Sequence, residues 1–122
     1  VDDCPFCARI AAGEFDYSDR TAVAFEPLNP VTEGHLLVVP RKHVSDAGAD
    51  PVTAGQAMEF AAMIAGPLEF SDWHYNLITS AGSAATQTVR HLHIHLVPRR
   101  EGDGLSLPWT GQQRPTGSPA PL

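Results

Sequence analysis

The segment His91-Leu92-His93-Ile94-His95-Leu96-Val97-Pro98 alternates three imidazoles with aliphatic side chains, and it holds half of the six histidines in the chain. Histidine is the side chain whose unperturbed charge change falls near neutral pH. On a β-strand, successive side chains point to opposite faces. The spacing therefore predicts His91, His93 and His95 on one face, with Leu92, Ile94 and Leu96 buried on the other. A row of three imidazoles is a poor core. It suits a metal site, or a nucleophile with proton-handling neighbours.

A second cluster opens the chain. Cys4-Pro5-Phe6-Cys7 contains both cysteines, at a spacing that suits two thiolates on one metal or a redox pair. A disulfide across so short a loop would gain little. Two cysteines do not complete a zinc shell, so two histidines from elsewhere would have to join them. Composition narrows the partners further. The net charge of −6 argues against a protein that coats nucleic acid, which needs a basic face. A small phosphorylated ligand needs only a local group of donors. No apolar run approaches the roughly 18 residues that span a bilayer, so no membrane partner is expected. The acidic start Val1-Asp2-Asp3 lacks the regions of a signal peptide. A chain that begins with Val rather than Met leaves a trimmed leader open, and a cytoplasmic location is the default.

These residues need elements to hold them. Pro5 to Ala12 reads as a short helix ended by Gly13, with Phe6 and Ile10 on its inner face. Thr21 to Phe25 reads as a strand, and Pro27, Asn29, Pro30 and Gly34 as a loop. His35-Leu36-Leu37-Val38-Val39-Pro40 is an aliphatic run expected to form a buried strand. Asp50-Pro51 is a helix start. That helix carries Phe60, Ala61, Ile64 and Ala65 on its apolar stripe and stops at Gly66-Pro67, with Met58 and Met63 as core filler. Trp73 to Ser80 is a third strand and Ala81 to Thr86 a small-residue loop, after which the histidine strand begins. His74 reads as structural, and Arg99 and Arg100 as a solvated strand end. With 43% hydrophobic and 18% charged residues over 122 positions, one domain with a true core is expected. It spans residues 1–109, and a Gly/Pro-rich tail follows at 110–122, extended or disordered. The class is α+β: an antiparallel sheet, covered on one side, with one main helix and a short N-terminal helix.

Gln87-Thr88-Val89-x-His91-x-His93-x-His95-x-x-Pro98 resembles the signature of the histidine triad (HIT) family of nucleotide hydrolases and transferases. Gly34-His35, the aliphatic strand after it, and Lys42-His43 are similar to that family's second block, and Cys4-Pro5-Phe6-Cys7 to its bacterial members. The resemblance covers residues 4 to 109. It implies that His93 attacks phosphorus and forms a covalent nucleotidyl-histidine, with no catalytic metal. His35 would orient His93 by bonding its other ring nitrogen. His95 would donate to phosphate oxygens, joined by Gln87 and Thr88, and either Thr88 or His95 would pass a proton to the leaving group. Thr86 and Ser80 would border the substrate. A structural zinc on Cys4, Cys7, His43 and His91 is implied, as is a homodimer built from the 50–65 helix and a sheet edge. Trp109 would anchor the tail or, from a dimer mate, approach the leaving group.

Two positions depart from the family pattern. Pro27 stands where an acid would hold the ribose hydroxyls, leaving adjacent Glu26 as a substitute, and Ser80 stands for an asparagine. Looser ribose dependence is therefore expected. Hydrolysis to a nucleoside monophosphate is the leading reading. The alternatives are nucleotidyl transfer, nucleotide binding with negligible turnover, and a metalloprotein using all three strand histidines.

Overall fold

A computed structural model describes residues 3–70 and 73–107. Its centre is a five-stranded antiparallel sheet in the order β1-β2-β3-β5-β4. The strands are β1 (Tyr17–Ser18), β2 (Ala22–Phe25), β3 (Leu36–Pro40), β4 (His74–Thr79) and β5 (Ile94–Arg99), and the helices α1 (Pro5–Ala12) and α2 (Pro51–Ala65). The α+β class and the two helices are as expected from sequence. β1 is a two-residue strand that carried no readable signal.

Both helices start and end for local reasons. Cys4 caps α1, its sulfur accepting from Cys7 N–H, with Pro5 at the first turn. Gly13 closes it at φ 72°, a left-handed conformation that glycine adopts at no cost. Asp50 caps α2 by accepting from Thr53 N–H at 3.1 Å and takes a second bond from Lys42 at 2.8 Å. The Lys42 hydrogen bond is the main reason the Asp50 carboxyl is lowered to about 2. At the other end Gly66 stays right-handed, and the chain tightens into a 3-10 turn over Gly66–Phe70. Gly66-Pro67 thus changes the helix type rather than stopping it.

The sheet is covered on both faces, which corrects the one-sided expectation. Ala22, Ala24, Val38 and Ile94 pack on Ala57, Phe60 and Ala61 of α2. On the opposite face Val23, Phe25, Leu37 and Val39 pack on Cys4 and Phe6, with Ile10 beside them. The period-two side-chain alternation divides each strand between two cores. Met58 and Met63 are not core filler: they are 37% and 66% exposed. Apolar side chains therefore lie on the outer side of α2 as well as the inner. No helix among the described residues is long and apolar enough to cross a membrane. Trp109 and the proposed tail lie outside the described residues.

A histidine relay beside a metal cradle

The histidine segment is not one straight strand. β5 begins only at Ile94, so His91, Leu92 and His93 form the irregular approach to it. Two struts fix that approach. Leu92 N–H donates to Val44 O at 2.7 Å, and the Thr79 hydroxyl donates to His93 O at 2.7 Å. His91 and His93 are buried and His95 is half-buried.

Each ring has a fixed partner that decides where its hydrogen sits. A neutral imidazole carries one N–H and one bare nitrogen. Val31 N–H donates to His35 Nδ1 at 3.1 Å, so the hydrogen of His35 is on Nε2. That nitrogen lies 3.0 Å from His95 Nδ1 and donates to it. His95 then carries its hydrogen on Nε2. His93 Nδ1 lies 2.8 Å from the carbonyl of His91, so it must donate, leaving Nε2 bare in the neutral ring. His91 Nε2 lies 2.8 Å from Pro40 O and donates there, leaving Nδ1 bare. Burial lowers the affinity of both His35 and His95 for a second proton. For His95, with His93 and His35 adding like-charge repulsion, the pKa is pushed down to about 4. At neutral pH His95 is an uncharged N–H donor.

His35 thus bonds His95, not His93 as the family resemblance implied. The orienting acceptor of His93 is a backbone carbonyl, which no side-chain pattern encodes. Gly34 delivers His35 at φ 84°, where any other side chain would be strained and its Cβ would crowd Pro98 Cγ at 3.1 Å. Phe6 packs edge-on against His93, His91 and Phe25, with centroids 5.1, 5.9 and 5.6 Å away. Its place beside the histidines was not legible; the sequence marked it only as core.

The bare Nδ1 of His91 faces a second cluster. Cys4 Sγ is 3.3 Å from His91 Nδ1 and Cys7 Sγ 3.5 Å. His43 Nδ1 is 3.3 Å from Cys7 Sγ and 3.1 Å from His91 Nδ1. All four ligand atoms lie within 4.8 Å of one another. Tetrahedral zinc bonds of about 2.3 Å to sulfur and 2.0–2.1 Å to nitrogen would space such S/N and N/N atoms roughly 3.3–3.6 Å apart. The donor set and its spacing fit a metal ion, and the His91–Pro40 bond is the outer support such ligands usually have. His91 belongs to this cradle, not to the relay.

The other expected ligand residues are dispersed. Gln87 is 5% exposed and its amide is fully occupied: it accepts from Gly82 N–H at 2.8 Å and donates to Ser45 O and Val89 O at 2.6 and 3.0 Å. It holds the loop together, so its side chain is not a spare phosphate donor. Thr86 is exposed at φ 73°, the one non-glycine residue with positive φ among those described, a costly state for a β-branched side chain. Thr88 is exposed on a cleft shared with Cys4 and His43. Ser80 is half-buried just past β4. Glu26 is exposed on a cleft with Glu33 and His35, and Pro27 is half-buried beside it. Arg99 is no solvated strand end; it is paired to Asp103 at 2.8 Å.

Comparison with known proteins bears on this arrangement. The model of the HIT domain matches residues 12–102. An uncharacterized HIT-like protein of Methanocaldococcus jannaschii is 36% identical over 109 residues, covering 83% of this chain and 82% of its own. The adenosine 5'-monophosphoramidase HNT1 of Saccharomyces cerevisiae is 34% identical over 98 residues, 77% of this chain and 60% of the yeast protein. A zinc-bound histidine triad family protein of Mycobacterium smegmatis superposes with a TM-score of 0.75 at 34% identity, covering 86% of this chain and 81% of that one.

Proposed function

The chain belongs to the HIT domain family, and from that premise we propose that it hydrolyses nucleotide phosphoramidates, or related nucleotidyl bonds, to a nucleoside monophosphate. The observation that carries this reading is the opposite polarity of two neighbouring rings. His93 offers a bare Nε2 while His95, its ring centroid 5.3 Å away, offers Nε2–H. A neutral imidazole is a nucleophile without prior deprotonation. A fixed donor beside it stabilises charge that develops on phosphoryl oxygens, an effect typically worth about 10²–10³ in rate.

In the first step His93 Nε2 bonds to phosphorus as the phosphorus–nitrogen bond of the substrate breaks. The bonding pair stays with the departing amine, which takes a proton from solvent. In the second step water bonds to phosphorus and releases a proton to solvent, and the pair of the His93–phosphorus bond returns to the ring. The sum is one phosphoramidate and one water giving one nucleoside monophosphate and one amine. His95, whose pKa is pushed down to about 4 by burial and by His93 and His35, acts in this reading as an Nε2–H hydrogen-bond donor to the phosphoryl oxygens. His35 is a positioning residue that fixes the tautomer of His95.

Structural zinc is the metal proposed for Cys4, Cys7, His43 and His91. It would close a shell with no open position and would tie α1 to the approach to β5. The support is the donor spacing, together with the zinc-bound M. smegmatis relative. The phosphoramidase name of the yeast relative supports adenosine 5'-phosphoramidate as the first substrate to test. Wild-type protein is expected to release AMP from it, and His93→Ala to lose at least about 10³-fold in kcat. AMP bound without any turnover by the wild type would favour the non-catalytic reading instead.

A further inference from the structure

Both cysteines of the chain, Cys4 and Cys7, sit at one end of α1. Cys4 is the cap, in extended backbone at φ −100° and ψ 116°, and Cys7 lies in the first turn with its N–H on the Cys4 sulfur at 3.3 Å. A cap and the residue three positions on have Cα atoms roughly 5 Å apart, inside the roughly 4.4–6.8 Å that a disulfide bridges. The two sulfurs lie within 4.8 Å of one another, in the same cluster as His43 and His91. The pair that would hold a metal is therefore also placed to bond to itself.

Solvent reaches this end of the helix. Cys4 and Pro5 line a cleft of about 390 Å³ together with His43, Thr88 and Arg90, and Cys7 is half-buried. A reagent a little larger than water fits such a cleft with ease.

The state of the sulfurs is also felt at the histidines. His91 turns Nδ1 toward both sulfurs, at 3.3 and 3.5 Å, and its carbonyl accepts from His93 Nδ1 at 2.8 Å. Phe6, between the two cysteines, packs on the rings of His91 and His93. One residue thus touches the sulfurs and orients the ring that would attack phosphorus.

We propose that Cys4 and Cys7 are an oxidative modification site: hydrogen peroxide converts the metal-holding pair into a disulfide, which empties the cradle and unseats His91 and, through it, His93. The inference rests on the structural-zinc and hydrolase readings above. One thiolate sulfur bonds to a peroxide oxygen as the O–O bond breaks, and the hydroxide released takes a proton from solvent. The second thiolate bonds to the sulfenic sulfur, whose hydroxide leaves and is protonated likewise. Two thiolates lose two electrons, one peroxide gains them and becomes two waters, and the pair no longer offers the thiolates that a metal ion needs. Bridging so short a loop adds little stability, so a dithiol reductant reopens it.

The test treats zinc-loaded protein with hydrogen peroxide at a concentration that oxidises free glutathione completely. Zinc should pass to a chromogenic chelator in step with a mass loss of about 2 Da, which fragmentation places between Cys4 and Cys7. The ring signals of His91 and His93 should shift, while those of Phe60 and Ala61 in the α2 core stay in place. Release of AMP from adenosine 5'-phosphoramidate should fall about tenfold or more, the scale set by a misplaced reacting group. Dithiothreitol followed by fresh zinc should reverse every change. Cysteines left intact, oxygen added without a disulfide, a disulfide that leaves both ring signals where they were, or loss of the α2 signals as well would each overturn the switch. Protein that takes up no zinc would remove zinc from the cradle, and protein without turnover would end the hydrolase reading. The disulfide and the two ring signals then decide the switch by themselves.

Discussion

In their neutral forms the rings of His35, His91, His93 and His95 are distinguished by which nitrogen carries the hydrogen, and four backbone or ring partners make that choice. The consequence at His95 is measurable. Its pKa is pushed down to about 4 by burial first and by His93 and His35 second, against about 6.5 in an unfolded chain. A depressed base binds its proton more readily in the unfolded state. Its contribution to stability is therefore complete above about pH 6.5 and is lost as pH falls toward 4. Nitrogen-resolved NMR titration should find His95 neutral, with hydrogen on Nε2, throughout pH 5–8. A ring titrating near 6.5, or one with hydrogen on Nδ1, would contradict the relay.

At the level of elements, the approach to β5 matters more than the strand. Gln87 and Leu92 tie the 43–45 segment to the loop and to the histidines. Gln87→Ala removes a buried amide and leaves the Ser45 and Val89 carbonyls and the Gly82 N–H without that partner. The expected cost is roughly 1–3 kcal/mol, read as a lower Tm, with kcat falling more than KM rises because His93 loses its frame. A Tm unchanged by the substitution would show the amide to be dispensable. This is also where the sequence was least legible. Strong local signals such as Cys4-Pro5, Asp50-Pro51, Gly13 and the 36–40 aliphatic run placed both helices and most strands, because caps and alternation are local physics. The histidine pattern looked like a strand throughout because alternation cannot reveal that His91 is pulled aside by Cys4, Cys7 and His43. Nor can side-chain identity reveal a carbonyl partner for His93, an occupied Gln87, or an Arg99 that turns back onto Asn76.

Across the whole molecule, the sheet joins two cores, and the α1 side depends on a cluster joining residues 87 positions apart, Cys4 and His91. If that cluster holds zinc, about one ion per chain should be found. Chelation should lower Tm by several degrees and broaden the signals of Phe6 and His91, whereas unchanged Tm and signals in a metal-free sample would remove the cradle from the fold's support. The outer side of α2 exposes Val52 at 73% and Met63 at 66%, and β4 is a sheet edge. We propose that both are paired in a homodimer about a two-fold axis. Light scattering should give twice the chain mass for the wild type and the single-chain mass for Met63→Lys; a monomeric wild type at micromolar concentration would exclude the dimer. The proposed hydrolysis requires a bond from His93 Nε2 to phosphorus. The direct measurement is the mass of protein quenched with base during turnover of adenosine 5'-phosphoramidate, followed by fragmentation to locate the label. One adenylyl group on His93, absent in His93→Ala, is the predicted result; a label on His95, or His93→Ala protein that turns over at the wild-type rate, would contradict it.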